Sequence, residues 1–424
     1  MKTRKLVVAS ALAAAFVASA VVPTPTVSDV VLSADEATGG VAISYNVDVE
    51  SVAIVSLEVK NASGAWVPIP ADAQTFFIGE TNCRVGPGTH RAVYRPGGVV
   101  AGRRALDANN FRAKVKAWSK DAPPDYMVAD LTMPSNVLFY ASKEDVPLGV
   151  TNDLYKTQKL VMRKIPAGGV SWRMGTPSGS TGISWDSTRE KARQISFTND
   201  YYIGIYPVTQ AQYWNMAGSK NGCTIEGLLF PCTNCGVERL RGSRTGDGID
   251  WPATGHRVAD SSVLGRLRKF TGQDFDLPTE AQWEYATRGG IGGFFSNNGP
   301  DTKEEKCKIC WCASNCTNEE GVATCWPVGL KEPNNWGIYD MQGHFYELCQ
   351  DWWLEESSSV TVGIDPTGPT YDQRQPNVTA RVVRGGTYGS RWDFARSADR
   401  SNTGPGADGG ASNAHRLWCS AYLK

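Results

Sequence analysis

The chain has 424 residues, more than one hydrophobic core usually serves, and its 41% hydrophobic and 20% charged content is that of folded globular protein. Lys+Arg and Asp+Glu are equal at 43 each, so the formal charge is zero. That balance excludes a broad footprint for nucleic acid or an anionic membrane.

Taken in chain order, the first element is an export signal over residues 1–20. Lys2, Arg4 and Lys5 form a basic start, Leu6 to Ala18 is apolar and small, and Ala18-Ser19-Ala20 supplies a small-x-small cleavage pattern. The apolar run is too short to span a bilayer, and no later stretch reads as a membrane span. The expected address is secreted or periplasmic. Of the 11 cysteines only Cys83 lies in the first half, and an exported chain predicts disulfides for the rest. The odd count leaves one thiol over, with Cys83 the candidate.

Residues 24–140 predict a small β-sandwich of immunoglobulin or fibronectin type. Val27-Ser-Asp-Val-Val-Leu32, Val41 to Val47, Val52 to Val59 and Phe111 to Trp118 are β-branched runs with partial alternation, and Asn61-Ala-Ser-Gly64 is a turn cluster. This unit carries no chemical signature and reads as a spacer or adhesion module. Residues 141–159 predict a linker, following Pro123-Pro124 and Pro134. From residue 160 to 424 the pattern changes to short strands, sparse helices and long Trp-rich loops. The best helix is Thr279 to Ala286, capped by Thr279 and closed by Gly289-Gly290. A shorter one, Thr209 to Met216, is capped by Thr209.

Within that second unit, several segments occur in a telling order. They are Arg173-Met-Gly-Thr176, then Tyr202-Ile-Gly-Ile-Tyr-Pro-Val-Thr-Gln210, then Phe275-Asp-Leu-Pro-Thr-Glu-Ala-Gln-Trp-Glu-Tyr-Ala-Thr-Arg-Gly-Gly290. After them come Pro327-Val-Gly329, Asn335-Trp-Gly-Ile-Tyr-Asp-Met341 and Gly343-His-Phe-Tyr-Glu-Leu-Cys-Gln-Asp-Trp-Trp353. Arg384-Gly-Gly-Thr-Tyr388, Arg396-Ser-Ala-Asp-Arg400 and Arg416-Leu417 complete the set. Together they resemble the formylglycine-generating enzyme (sulfatase-modifying factor) family. The resemblance implies an α+β, C-type-lectin-like core with little regular structure. A fold poor in backbone ladders must satisfy its buried polar groups with side chains. Glu280, Glu284 and Glu347 are accordingly expected as structural acceptors rather than catalysts.

The family's oxidising members convert a substrate cysteine to formylglycine with molecular oxygen and Cu(I), held by two cysteines shortly after the strand matching Arg384–Tyr388. Two thiolates suit a soft, near-linear cation. Here those places fall near Ser390 and Ala395, and no cysteine lies between Cys349 and Cys419. Oxygen and methyl groups do not replace thiolate, so no catalytic residue is assigned and Cu(I) is disfavoured. The four histidines show no iron-binding spacing. The resemblance also implies a calcium loop at Gly343 to Glu347. His344 in place of Asn removes one oxygen donor while Glu347 stays, so Ca²⁺ and an ion-free loop pinned by Glu347 both remain open.

The run Cys307-x-x-Cys310-x-Cys312-x-x-x-Cys316, with Cys325 beyond, fits a disulfide-knotted loop better than a zinc site, whose knuckles are spaced further apart. Cys223 with Cys232 and Cys235 suggests a similar staple, and Cys349 is expected to meet Cys419. The surface that would carry substrate in the enzymes keeps Tyr388, Arg391, Trp392, Asp393 and Arg396, a mix of aromatic and charged groups suited to recognition. The expected function is a catalytically silent, exported binding or structural module for a protein, peptide or carbohydrate ligand. The alternatives are an oxidoreductase acting on exported sulfatases and a ligand-display scaffold like the variable lectin-like proteins. The silent reading depends on there being no thiol pair at the late strand.

Overall fold

The computed structural model describes residues 24–97, 105–176, 183, 185–356, 362–404, 406 and 410–422; the expected export signal over residues 1–20 lies outside these described residues. The first strands form where the sequence alternates. Val27–Asp35, Gly40–Val47, Gly88–Tyr94 and Phe77–Gly79 make one antiparallel sheet. Ser51–Lys60 pairs with Phe111–Ser119, Trp66–Pro68 and Cys83–Val85 in a second. Ile43, Tyr45, Val55, Leu57, Ala92 and Tyr94 fill one core between them. Phe111, Ala113, Val115 and Ala117 point alternate side chains into it, as a period of two requires.

The boundary of this unit differs from the sequence expectation. Tyr126–Asp130 and Val137–Tyr140 do not join the first two sheets; they extend a five-stranded sheet with Lys159–Ile165, Tyr201–Gly204 and Trp418–Ser420. The reason is burial on both faces. Met127 and Ala129 enter one core with Leu160, Met162 and Tyr202, while Tyr126 and Val128 enter another with Val161 and Tyr206. Residues 141–159 are packed as well, with a 3-10 turn at Lys143–Asp145 and a helical turn at Leu154–Thr157 whose Tyr155 is buried. The two units are joined by a reciprocal clasp: the Phe139 amide donates to the Asn82 carbonyl and the Asn82 side-chain amide donates to the Phe139 carbonyl.

Both expected helices form, over Gln210–Ala217 and Glu280–Arg288, each with a Thr-Gln capping box and a left-handed glycine after it. A third helix, Val263–Thr271, was not anticipated, although Ser262 caps it, Val263, Leu264 and Leu267 are buried, and Gly272 ends it. The late strands Arg381–Arg384, Tyr346–Trp352, Arg400–Thr403 and Asn413–Ala414 make a four-stranded sheet. Among the described residues no helix is long and apolar enough to cross a membrane. Cys349 and Cys419, expected to meet, pack into separate hydrophobic clusters.

Candidate functional site

The site is built from a helix whose acidic residues recur every four positions. That spacing puts Glu280 and Glu284 on one face of Glu280–Arg288, and both are buried. Glu284 receives the Gly175 amide at 2.8 Å and Arg288 at 2.6 Å, and it is also bonded by Arg384. Glu280 lies 3.1 Å from the Arg384 guanidinium as an ion pair and accepts two of the three Arg400 nitrogens, one of them at 3.1 Å. Burial alone would push the Glu280 carboxyl up. The Arg400, Arg384 and Arg193 charges outweigh it and hold the group down at about 2. These carboxylates are engaged on every side, as structural acceptors are.

Glu347 belongs to the same kind of network. Its oxygens accept Arg416 at 2.7 and 2.9 Å and the Trp283 indole at 2.7 Å. His344 is 1% exposed, and burial pushes its imidazole down to about 4, so it is neutral, with Nε2 2.8 Å from the Trp326 carbonyl. A carbonyl only accepts, so Nε2 carries the proton. A guanidinium seated on the one carboxylate and an N–H donor in the loop do not fit a divalent cation that wants several oxygens. Calcium at this loop is therefore not supported by its donor set.

The next stretch turns sharply on glycine. Gly386 has φ +79°, and a Cβ there would sit 2.9 Å from the Phe394 carbonyl oxygen. Thr387 and Ser390 close a turn: the Ser390 amide donates to the Thr387 carbonyl at 3.0 Å, and the two hydroxyls are 2.9 Å apart. Tyr388 is half-buried against Phe345, with its amide on the His344 carbonyl at 2.7 Å. Arg391 is 75% exposed and pairs with Asp393 at 2.6 Å. Trp392 stacks on Phe295 with centroids 5.8 Å apart.

The expected ligand-binding set thus divides. Tyr388, Arg391 and Trp392 reach the surface, joined by Phe394, which is 48% exposed and was not singled out from sequence. Asp393 and Arg396 are buried. Arg396 is held by Glu190 at 2.5 Å and Asp399 at 3.2 Å, so it is a structural cation rather than a recognition group. Ser390 and Ala395 do not fit Cu(I): one presents a hydrogen-bonded hydroxyl, the other a methyl group 1% exposed.

Sequence distance nevertheless misled in one respect. Cys310–Trp311 forms a short strand parallel to Gln342–Gly343, and this docking brings Cys310 and Cys312 against Ala395, with Cys307 and Trp392 packed beside them. The Ala313 amide donates to the Ser390 carbonyl at 2.8 Å. Thiols from the insertion therefore reach the late loop even though none lies in its own sequence. They stand as thiols rather than as the expected disulfide knot. The docking depends on Gly343, which has φ +75° and whose Cβ would lie 1.8 Å from the Trp311 carbonyl oxygen. Gly343→Ala is expected to cost at least about 1–3 kcal/mol from the backbone conformation alone. Urea unfolding should show that loss, and Cys310 and Cys312 should become alkylatable in the folded protein.

A family model described as "Sulfatase-modifying factor enzyme 1-like domain" matches residues 155–412, more than half of the chain. The chain belongs to this sulfatase-modifying-factor family. Relatives include the formylglycine-generating enzyme of Thermomonospora curvata, 35% identical over 121 residues that cover 26% of this chain and 38% of that one. The Bos taurus formylglycine-generating enzyme is 34% identical over 145 residues, covering 32% and 36%. The serine/threonine-protein kinase pkn1 of Chlamydia pneumoniae is 33% identical over 217 residues, covering 49% and 31%. The chain thus spans between 31% and 38% of the length of these relatives. Among solved structures, PvdO from Pseudomonas aeruginosa is similar with a TM-score of 0.46 and 23% identity, over 62% of this chain and 94% of that one.

Proposed function

We propose that this chain is an exported, non-oxidising member of the sulfatase-modifying-factor family that binds a protein or peptide ligand. The ligand sits on the rim made by Tyr388, Arg391, Trp392 and Phe394. The second unit is read as a C-type-lectin-like domain and the first as an immunoglobulin-like spacer. Export rests on the basic, apolar and small-residue order of residues 1–20. One observation carries the functional reading: the places where the family's copper ligands fall hold a tied hydroxyl and a buried methyl group, while aromatic and cationic groups next to them face solvent. Exposed aromatics with an Arg suit a hot spot for peptide recognition.

The test has two arms. Protein supplied with one equivalent of Cu(I) and a Cys-x-Pro-x-Arg peptide is expected to consume no oxygen above the protein-free control. Peptide turnover at one copper per chain would overturn the reading. In the second arm a random peptide library is panned on wild type and on the Arg391→Ala/Phe394→Ala double variant. Enrichment should fall about tenfold or more on the variant; equal enrichment on both would place the ligand elsewhere. An oxygen-using oxidoreductase is the second reading, favoured by the packing of Cys310 and Cys312 against Ala395. The copper arm separates the two.

A further inference from the structure

Cys307 follows the helical turn Lys303–Lys306, Cys310 opens the short docked strand, and Cys312 comes just after it. Cys307 Sγ and Cys312 Sγ are 3.6 Å apart, and the Cys310 thiol hydrogen-bonds to both. Asn315 clamps the group: its Nδ2 donates to the Cys307 and Cys310 carbonyls at 3.2 and 3.0 Å, and its Oδ1 accepts the Cys312 amide at 2.9 Å. Lys331 places its ammonium 2.7 Å from the Cys307 carbonyl and 4.1 Å from the Trp311 ring centroid. Cys310 and Cys312 are buried, whereas Cys307 is half-buried and reaches solvent.

Three is the informative number. A structural staple needs two sulfurs, and a bond between any two of these leaves the third in contact with it. Every oxidised form of the trio therefore has a nucleophile already beside its disulfide. The protonation pattern suits the same chemistry. The Cys310 hydrogen bond holds the Cys312 thiol down at about 5, and with Lys331 it also lowers Cys307, while Cys310 itself is pushed up by both partners. Among the described residues no group of three or more His, Cys, Asp or Glu side chains is arranged to hold a metal ion.

We propose that Cys307, Cys310 and Cys312 form a thiol–disulfide exchange centre that reacts with external peptide or low-molecular-weight disulfides through Cys307. The Cys307 thiolate attacks one sulfur of the external disulfide. That S–S bond breaks, and the departing thiolate takes up the proton Cys307 released. The Cys312 thiolate then attacks Cys307 Sγ in the mixed disulfide and expels the second thiolate, which takes from solvent a proton equivalent to the one Cys312 gave up on ionising. The two cysteines lose two electrons and two protons, and the external disulfide becomes two thiols. Cys310 can next attack the new bond and move it inward. The inference is independent of the binding reading, because it is read on the thiols and not on oxygen or ligand uptake.

The full chain would be equilibrated across a reduced/oxidised glutathione series at pH 7, acid-quenched, alkylated and mapped by mass spectrometry. A pair among Cys307, Cys310 and Cys312 should pass reversibly through half-oxidation within the series. The Cys310→Ser/Cys312→Ser double variant should trap glutathione on Cys307. In the reduced protein, iodoacetamide should modify Cys307 about tenfold or more faster than Cys83, which is also part-exposed but whose thiol burial pushes up to about 11. A bridge that stays intact across the whole series, no trapped glutathione on a folded Cys310→Ser/Cys312→Ser variant, or Cys307 reacting no faster than Cys83 would each overturn the proposal. Should the double variant fail to fold by circular dichroism, the wild-type titration and alkylation ratio decide.

Discussion

Glu280→Gln is expected to lower folding stability by about 3–5 kcal/mol, the cost of removing one partner from a buried ion pair. Glu280 is 1% exposed and is the carboxylate shared by Arg384 and Arg400. Arg193 lies near enough to feel its charge, and burial has already lowered that guanidinium to about 10. With a neutral amide in its place, guanidinium groups remain in a dry environment with less negative charge to balance them. Gln keeps the shape and the helix, so the loss reports charge rather than a cavity. Equilibrium urea unfolding of the variant should show it, with the exposed Glu304→Gln change staying within about 0.5 kcal/mol of wild type. A Glu280→Gln protein within about 1 kcal/mol of wild type would refute this account of the network.

Two buried histidines should each make the fold lose stability as pH falls below about 6.5. His415 is fully buried, and burial pushes its imidazole down to about 3; His344 is lowered to about 4 for the same reason. Both are depressed from an ordinary value near 6.5, so between there and about pH 4 the unfolded chain binds protons that the folded chain refuses. Unfolding is favoured by each such proton. The stability is fully present above 6.5 and is lost as pH falls. Two groups acting together contribute a slope of roughly 3 kcal/mol per pH unit across that window. It is opposed by Asp340, Asp351 and Asp399, whose burial pushes their carboxyls up to about 6, 8 and 7, so that the folded chain holds protons the unfolded chain has lost. Below 4.5 Glu280 and Glu284, both held low by arginines that outweigh their burial, add to the loss. Urea unfolding of wild type and His415→Leu from pH 7.5 to 4.5 isolates one ring: below about 6.5 the stability difference between them should move in the variant's favour by about 1.4 kcal/mol per pH unit. A difference that stays constant across that range would contradict the burial of this ring.

Local chemistry was legible in the sequence where it acts over a few residues. Thr209 and Thr279 announced their helices through the Gln three positions on, and the ordered motifs from Arg173 to Leu417 announced the family. What escaped was settled by distant partners. Tyr126–Asp130 carries the same β-branched and aromatic signature as a sandwich strand, and only its burial between two cores assigns it to the second unit. Arg396 reads as surface charge until Glu190, more than two hundred positions earlier, is seen beside it. The thiols read as a knot because Asn315, Gly343 and the parallel pairing with Gln342 that gather them leave no periodic trace. The calcium loop's donor set was hidden for the same reason: the residue motif shows Glu347, and only the fold shows Arg416 upon it.

The five-stranded sheet has a consequence for how the chain is made. Its Tyr201–Gly204 strand lies between Lys159–Ile165 and Trp418–Ser420, with Ile203 opposite Trp418. On a ribosome, one edge of that middle strand must wait for some two hundred further residues to be synthesised before its neighbour exists. Pairings of such sequence separation close slowly because the intervening loop must be ordered first. Nascent chains of the second unit therefore expose a bare, apolar sheet margin throughout translation, and a chaperone that shields it until Trp418 emerges would raise the yield of native protein.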